Sequence, residues 1–322
     1  MKTLLSRVAL IVSILTGVSA FASEGGIAMD TWPSDRGHNP ASLQNGARLF
    51  ASYCIGCHGA DLVRWNRLQE IGLTDAQIQQ YLIFGNQKVG DTIRSPAVAA
   101  DLKRWFGKPP PDLSVITRAR TSAGHAGTDY IYTLLRSYYR DSSSPTGWNN
   151  VAYPNIAMPH VFWQEQGPRE TRIEFSEARK DPKTGAVQHV SVVTTYDPHG
   201  VSTRTEAPAA SHSHEGISYS FKPLNADQAR QFDSDAADLV AFLAFITDPT
   251  ADKRVRIGVW VLIFLALFTV ITWRLSQEGS GTRLQLTHEG FDMDSPLGRQ
   301  AFEGMKPGWP NLLKKLQTLL ES

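Results

Sequence analysis

At 322 residues the chain can form one or two domains with a sizeable core. Its 32 basic residues nearly balance 31 acidic ones, a formal charge of +1, and no Lys/Arg stripe appears. A basic nucleic-acid binder is therefore excluded, and the informative features are two apolar segments at opposite ends of the chain.

Residues 1–22 begin with Lys2 and Arg7 as a positive region. Val8–Val18 follows as a short apolar core, and Ala20-Phe21-Ala22 makes an A-x-A cleavage site. This pattern predicts a secretory signal peptide; a retained anchor is the competing reading. Either way the domain at 23–250 is expected outside the cytoplasm. Glu24–Pro40, rich in Gly, Asp and Pro, reads as an extended arm. Ser42 is placed to cap a helix running to about Tyr53. A second helix is expected over Thr74–Phe84 with Thr74 as its cap. Lys108–Arg120, "KPPPDLSVITRAR", is a proline-bounded loop in which Asp112 can cap a helix through Arg120. Thr128–Tyr139 places Ile131, Leu134, Leu135 and Tyr138 on one helix face. Asp141–Pro159 is a long Ser/Pro/Asn loop, and Arg172–Glu206 holds two β-like runs, "TRIEF" and "HVSVVTTY". A strongly apolar helix starts at Asn225 or Asp227 and ends before Pro249.

Ile257–Trp273 carries no charge over 17 residues, about 25 Å as a helix. It predicts a single transmembrane helix within 251–276, because a soluble core helix is not apolar on every face. Lys253, Arg254 and Arg256 lie before it and Arg274 after it. The positive-inside rule alone favours the reverse of the exported orientation; the signal peptide and the cysteine chemistry favour an outside domain with a cytoplasmic C-terminus.

Cys54 and Cys57 are the two cysteines of the chain, and His58 follows directly in "LFASYCIGCHGADLV". A zinc site needs four ligands, and no second Cys/His pair of suitable spacing exists. A thioredoxin-like pair expects a βαβ context, whereas these cysteines end a helix. A plain disulfide has no use for His58. Covalent attachment of haem c uses all three: two thiols for the vinyl groups and an imidazole for the iron. For the second axial face, Met1 leaves with the leader, Met29 lies in the arm, and Met293 and Met305 lie beyond the apolar helix. Met158 in "YPNIAMPHV" remains, with His160 two residues on as its competitor.

The segments "NGARLFASYCIGCHGADLVRWNRL", "PPPDLSVITRAR", "DYIYTLLRSYYRD", "PTGWNNVAYPNIAMPHV" and "DLVAFLAFITDP", with the C-terminal apolar helix, together resemble the cytochrome c1 family of proteobacterial type. The resemblance implies a mainly α fold: a class I cytochrome c-like haem domain with a small β insertion and one C-terminal transmembrane helix. It implies one covalent haem c on Cys54 and Cys57, with His58 and Met158 as axial ligands. Arg120 is implied to hold a propionate with Tyr130 nearby, and Pro110 and Pro111 to line the haem pocket. Gly46 and Phe50 are implied to sit where the first helix crosses the one ending near Ile246. The implied role is the electron-transfer haem subunit of the ubiquinol–cytochrome c reductase (bc1) complex, a redox subunit that is no catalyst on its own. Its partners would be cytochrome b, the Rieske iron–sulfur protein and an accepting cytochrome c. Its place would be the bacterial inner membrane, with the haem domain in the periplasm. The alternative is a stand-alone anchored cytochrome serving a terminal oxidase.

The family ends soon after its membrane helix, but this chain continues through 277–322. "TRLQLTHEGF" reads as a strand, and Trp309, Leu312, Leu313, Leu316, Leu319 and Leu320 as one helix face. This extension resembles the end of an SRPBCC (Hsp90-ATPase-activator-homologue) domain and is read as a fusion or a sequence-assembly artefact. The alternative is a cytoplasmic extension lying on the membrane.

Overall fold

The computed structural model describes residues 26–180, 187–208, 216–268, 270–279, 281–289 and 291–320. The predicted leader, 1–22, lies outside them. The chain divides into two compact units, Met1–Pro249 and Thr250–Ser322.

The first unit is organised by two helices. Helix α1 (Pro40–Leu49) is capped by Asn39, whose Oδ1 accepts the Ala41 N–H at 3.0 Å. Ser42, the expected cap, is instead buried in the first turn; Pro40 fits the first helical position because its missing N–H is not needed there. Asp75–Tyr81 (α2) has Thr74 as cap, in a reciprocal capping box with Gln77. Between them lie strand β1 (Ala60–Arg64), paired with β2 (Thr92–Ile93), and a 3₁₀ stretch over Trp65–Ile71. Ala99–Phe106 forms α3 and Ile116–Ala119 the short α4. Asp112 does not cap that helix: its Oδ1 accepts the Ser114 N–H and its Oδ2 the Asp61 N–H. Helix α5 (Gly127–Arg136) stops before the expected Tyr139, because Tyr138–Arg140 pairs as β3 with Trp148–Asn150 (β4).

After a short α6 (Trp163–Gln166) comes the largest departure from expectation. The β insertion is not small: β5 (Arg169–Lys180), β6 (Val187–Tyr196), β7 (Ser202–Pro208) and β8 (Ile217–Pro223) form an antiparallel sheet in the order β7-β6-β5-β8. The fold is therefore mixed α and β rather than mainly α. The reason is visible in the strands: β8, "ISYSFKP", alternates half-buried and exposed residues with a period of two. Ile173, Tyr196, Ile217, Tyr219 and Phe221 pack around buried Ile27, Tyr139 and Val151 as a second, smaller core.

The long helix α7 (Ala226–Thr247) starts at Asn225, whose Oδ1 accepts the N–H groups of Asp227 and Gln228. It crosses α1 at Gly46. A Cβ there would lie 2.1 Å from the Asp238 carbonyl oxygen and 2.7 Å from the Phe242 Cβ, so only glycine permits this approach. Phe50 meets Phe242 with ring centroids 5.4 Å apart, both fully buried. Each such side chain contributes roughly 1.5–3 kcal/mol by burial.

The second unit holds α8 (Ala251–Phe268), a hairpin of β9 (Val270–Glu278) and β10 (Gly281–Glu289), then α9 (Pro296–Met305) and α10 (Gly308–Leu320). The expected helix over 251–276 is corrected here. It ends at Phe268, and Val270–Trp273 pairs with Leu286–Glu289 instead. Val270, Ile271 and Thr272 are β-branched and Trp273 is aromatic, the residue types that favour a strand. Four charged residues also occupy the first turns of α8, at 252, 253, 254 and 256. Among the described residues no helix is long and apolar enough to cross a membrane. The extension is ordered around His288, whose Nδ1 accepts the Trp309 indole N–H at 3.0 Å, and around Phe291 against Phe302.

Candidate haem site

All eight residues expected at the haem line one cavity: Cys54, Cys57 and His58, Pro110 and Pro111, and Arg120, Tyr130 and Met158. The rest of the lining is largely aliphatic, including Ile131, Leu135 and Leu243. The space free of protein atoms, mouth included, is about 1310 Å³.

The cysteine wall is built locally. At Phe50 the α1 backbone widens into a π-turn ending at Cys54. The N–H groups of Cys57 and His58 both donate to the Cys54 carbonyl, at 3.0 and 2.8 Å. The two thiols are not bridged. Burial, and then Cys57, push the Cys54 thiol up to about 12, so it stays protonated at neutral pH. A buried neutral thiol is a poor zinc ligand, since metal binding needs the thiolate.

The His58 Nδ1 lies 2.7 Å from the Pro111 carbonyl oxygen. That partner only accepts, so Nδ1 carries the proton and Nε2 keeps its lone pair. Burial holds the imidazole below its ordinary pKa, against smaller upward effects of Pro111 and Asp112. A backbone carbonyl that fixes the tautomer of a ligating histidine is the expected outer support of a metal site. Pro111 thus does more than line the cavity. Asp112 clamps its loop to Asp61, and the Leu113 N–H donates to the Gly59 carbonyl at 2.8 Å. This clamp is invisible in the sequence, because Asp61 and Asp112 are 51 residues apart.

Met158 sits in a loop whose turn uses Asn155 in the left-handed region (φ 59°), a conformation asparagine tolerates. The Tyr138 hydroxyl donates to the Met158 carbonyl at 3.0 Å. His160, the competing ligand, does not line the cavity. It is 3% exposed, stacked on Tyr138 at 4.5 Å with an edge contact to Trp148 at 4.7 Å. Burial first, then the Arg169 charge, push its pKa down to about 3.

The Arg120 guanidinium lies over the Tyr130 ring at 5.6 Å, and His125 stacks on the same ring. The sequence reading missed Tyr53. It also lines the cavity, and its hydroxyl donates to Glu165. That bond, then burial, raises the phenol's pKa. Its place beside Cys54 was the available signal. The residues present fit a covalently held haem: two unbridged thiols, a tethered imidazole with a free Nε2, and a thioether share one apolar cavity.

Comparison with known proteins gives the same answer. A family model described as Cytochrome C1 family matches residues 35–181, a span that contains all eight residues expected at the haem. Cytochrome c1 of Allochromatium vinosum is 31% identical over 266 residues, covering 82% of this chain and 93% of that protein. The chain belongs to the cytochrome c1 family. A Nitrosomonas europaea protein named ammonia monooxygenase gamma subunit is 33% identical, covering 84% of this chain and 94% of its own length. The mitochondrial cytochrome c1 heme protein of Schizosaccharomyces pombe is 30% identical over 178 residues, 47% of this chain and 57% of that one. A second model, described as activator of Hsp90 ATPase homolog 1-like protein, matches residues 240–321. The resemblance of the extension is thus upheld, and the match begins inside α7 rather than at 277.

Proposed function

We propose that this chain is the haem c subunit of a bc1-type ubiquinol–cytochrome c reductase, with the haem domain in the periplasm. In this reading it takes electrons from a Rieske iron–sulfur protein and passes them to a cytochrome c, beside cytochrome b. The observation that carries it is the single cavity holding Cys54, Cys57, His58 and Met158 in a chain of this family. The haem, when bound, supplies one-electron Fe(II)/Fe(III) chemistry. Cys54 and Cys57 hold it as thioethers. His58 Nε2 and the Met158 thioether would be the two iron ligands supplied by the protein, and with both bound no position would be left for O₂. The aliphatic walls exclude water and favour a raised potential. Arg120, steadied over Tyr130, balances a propionate charge at the mouth.

Membership of the complex is supported by the relatives, one of which, from Candida albicans, is named cytochrome b-c1 complex catalytic subunit. No observation favours the stand-alone carrier. Membrane attachment through Ile257–Trp273 is part of the proposal. Ile257, Trp260, Leu262 and Leu265 point in different directions around α8 and are 40–72% exposed, more apolar surface than a helix in water tolerates. Residues 1–22 remain the proposed leader.

The test is purification from native membranes in mild detergent. Co-purified b haem and a Rieske centre are expected; a c haem that purifies without them overturns the complex assignment. Release by carbonate washing would overturn attachment through the apolar stretch.

A further inference from the structure

Tyr138 is held at three points. Its side chain is 1% exposed, at the junction where α5 gives way to β3. Its carbonyl accepts from the Arg169 Nη2, which also donates to the Arg136 carbonyl at 2.6 Å. Its ring is stacked nearly parallel on His160, with an 8° interplanar angle, and Trp148 makes an edge contact with that imidazole at 4.7 Å. Its hydroxyl donates to the Met158 carbonyl at 3.0 Å. Burial pushes the phenol's pKa well above its ordinary value, so it remains a donor throughout the physiological range. Arg169 is stacked on Phe221 of the β insertion at 3.5 Å. The arrangement therefore runs from the sheet, through Arg169 and Tyr138, to the peptide of Met158.

The loop it reaches is otherwise held at its entry. The Tyr153 N–H donates to Asn150 Oδ1 at 3.0 Å and the Asn155 N–H to Asn149 Oδ1 at 2.8 Å. Beyond Asn155, residues 156–160 have no helix or strand of their own. A thioether is a weak, uncharged donor on a flexible side chain. Whether it stays on the iron depends on how firmly its backbone is placed.

We propose that Tyr138, buttressed by Arg169 and His160, is a positioning residue that holds Met158 toward the haem. This rests on the reading of Met158 as axial ligand. None of the three lines the cavity; they act through the methionine loop.

Tyr138→Phe tests this in the full-length holoprotein. It removes the hydroxyl and keeps the ring stack. The readout is CO affinity of the ferrous protein at neutral pH, together with the iron–sulfur charge-transfer band of the ferric form. Loss of one buried hydrogen bond from the ligand-on state predicts roughly a tenfold gain in CO affinity, with a weakened band. Thr133→Val is the control: it removes buried bonds away from the methionine loop, Thr133 Oγ1 to the Asp129 carbonyl and from the Asp30 N–H, both at 2.8 Å. It is expected to lower stability without moving CO affinity. If Tyr138→Phe leaves CO affinity and band unchanged while wild type resists CO, the positioning role is overturned and the Met158 assignment stands. Wild type that binds CO readily overturns the Met158 assignment itself. An equal gain in Thr133→Val reduces the effect to general loosening and overturns the inference. Should Tyr138→Phe not accumulate with haem, Arg169→Lys keeps the charge and loses the shared bonds to two carbonyls. About a threefold gain is expected, and no change overturns the proposal.

Discussion

The two walls of the cavity are built by opposite means. Cys54, Cys57 and His58 are fixed within one turn, by N–H groups that donate to the Cys54 carbonyl and by a helix locked at Gly46. Met158 lies in an irregular loop, held at its entry by Asn149 and Asn150 and at its own carbonyl by Tyr138, 20 residues back. A site can thus combine a wall written in a short motif with one that exists only after the chain has folded. The first wall is robust to changes elsewhere, and the second depends on long-range packing.

The largest effect is expected at the local wall. Cys54→Ala removes one thioether, and most of the covalent haem is expected to vanish from a haem-stained gel; full staining would break the comparison. Next, Gly46→Val drives a side chain into the Asp238 carbonyl. It is expected to destabilise the first unit by at least about 2 kcal/mol, read as a lower thermal midpoint. A variant as stable as wild type would show that the crossing does not hold the cysteine wall. Asp112→Ala releases the loop whose carbonyl orients His58 and leaves the Asp61 and Ser114 N–H groups unpaired. A cost of about 1–2 kcal/mol is expected in denaturant melts, with a shifted redox potential that a purely structural loss would not give.

The smallest effect concerns the methionine wall and is a pH dependence. Burial acts to raise the Asp141 pKa, but hydrogen bonds from Ser143 and Asn149 outweigh it and hold the carboxyl below its ordinary range. Its contribution is therefore complete above the unfolded carboxylate pKa, about 3.9, and is lost as pH falls through the lower folded value. Because Asn149 also carries the Asn155 N–H, acid is expected to loosen the methionine loop, and Asp141→Asn to flatten that dependence. An unchanged acid limb in Asp141→Asn would remove Asp141 from the account.

The same division governs what the sequence made legible. Cysteine count and spacing pointed to haem, and elimination among the methionines pointed to Met158, which shares the cavity. The Gly46 crossing followed from family resemblance. Four features were hidden or misread. The Asp112 clamp and the Tyr138 bond join residues 51 and 20 positions apart, and no local pattern encodes such a pairing. The four-stranded sheet was half seen, because exposed β7 carries no apolar alternation. The apolar run at 257–273 read as one helix because hydropathy ignores β-branching; the hairpin with β10 claims its last four residues.

The account's central claim is a covalent haem with both axial positions filled by His58 and Met158. The most direct test is a reduced-minus-oxidised spectrum of the purified protein, with potentiometric titration and CO addition at neutral pH. The account predicts a c-type spectrum that survives acid–acetone extraction, a raised potential typical of His/Met ligation, and no ready CO binding. Extractable haem, or a ferrous form that takes up CO at once, would contradict it.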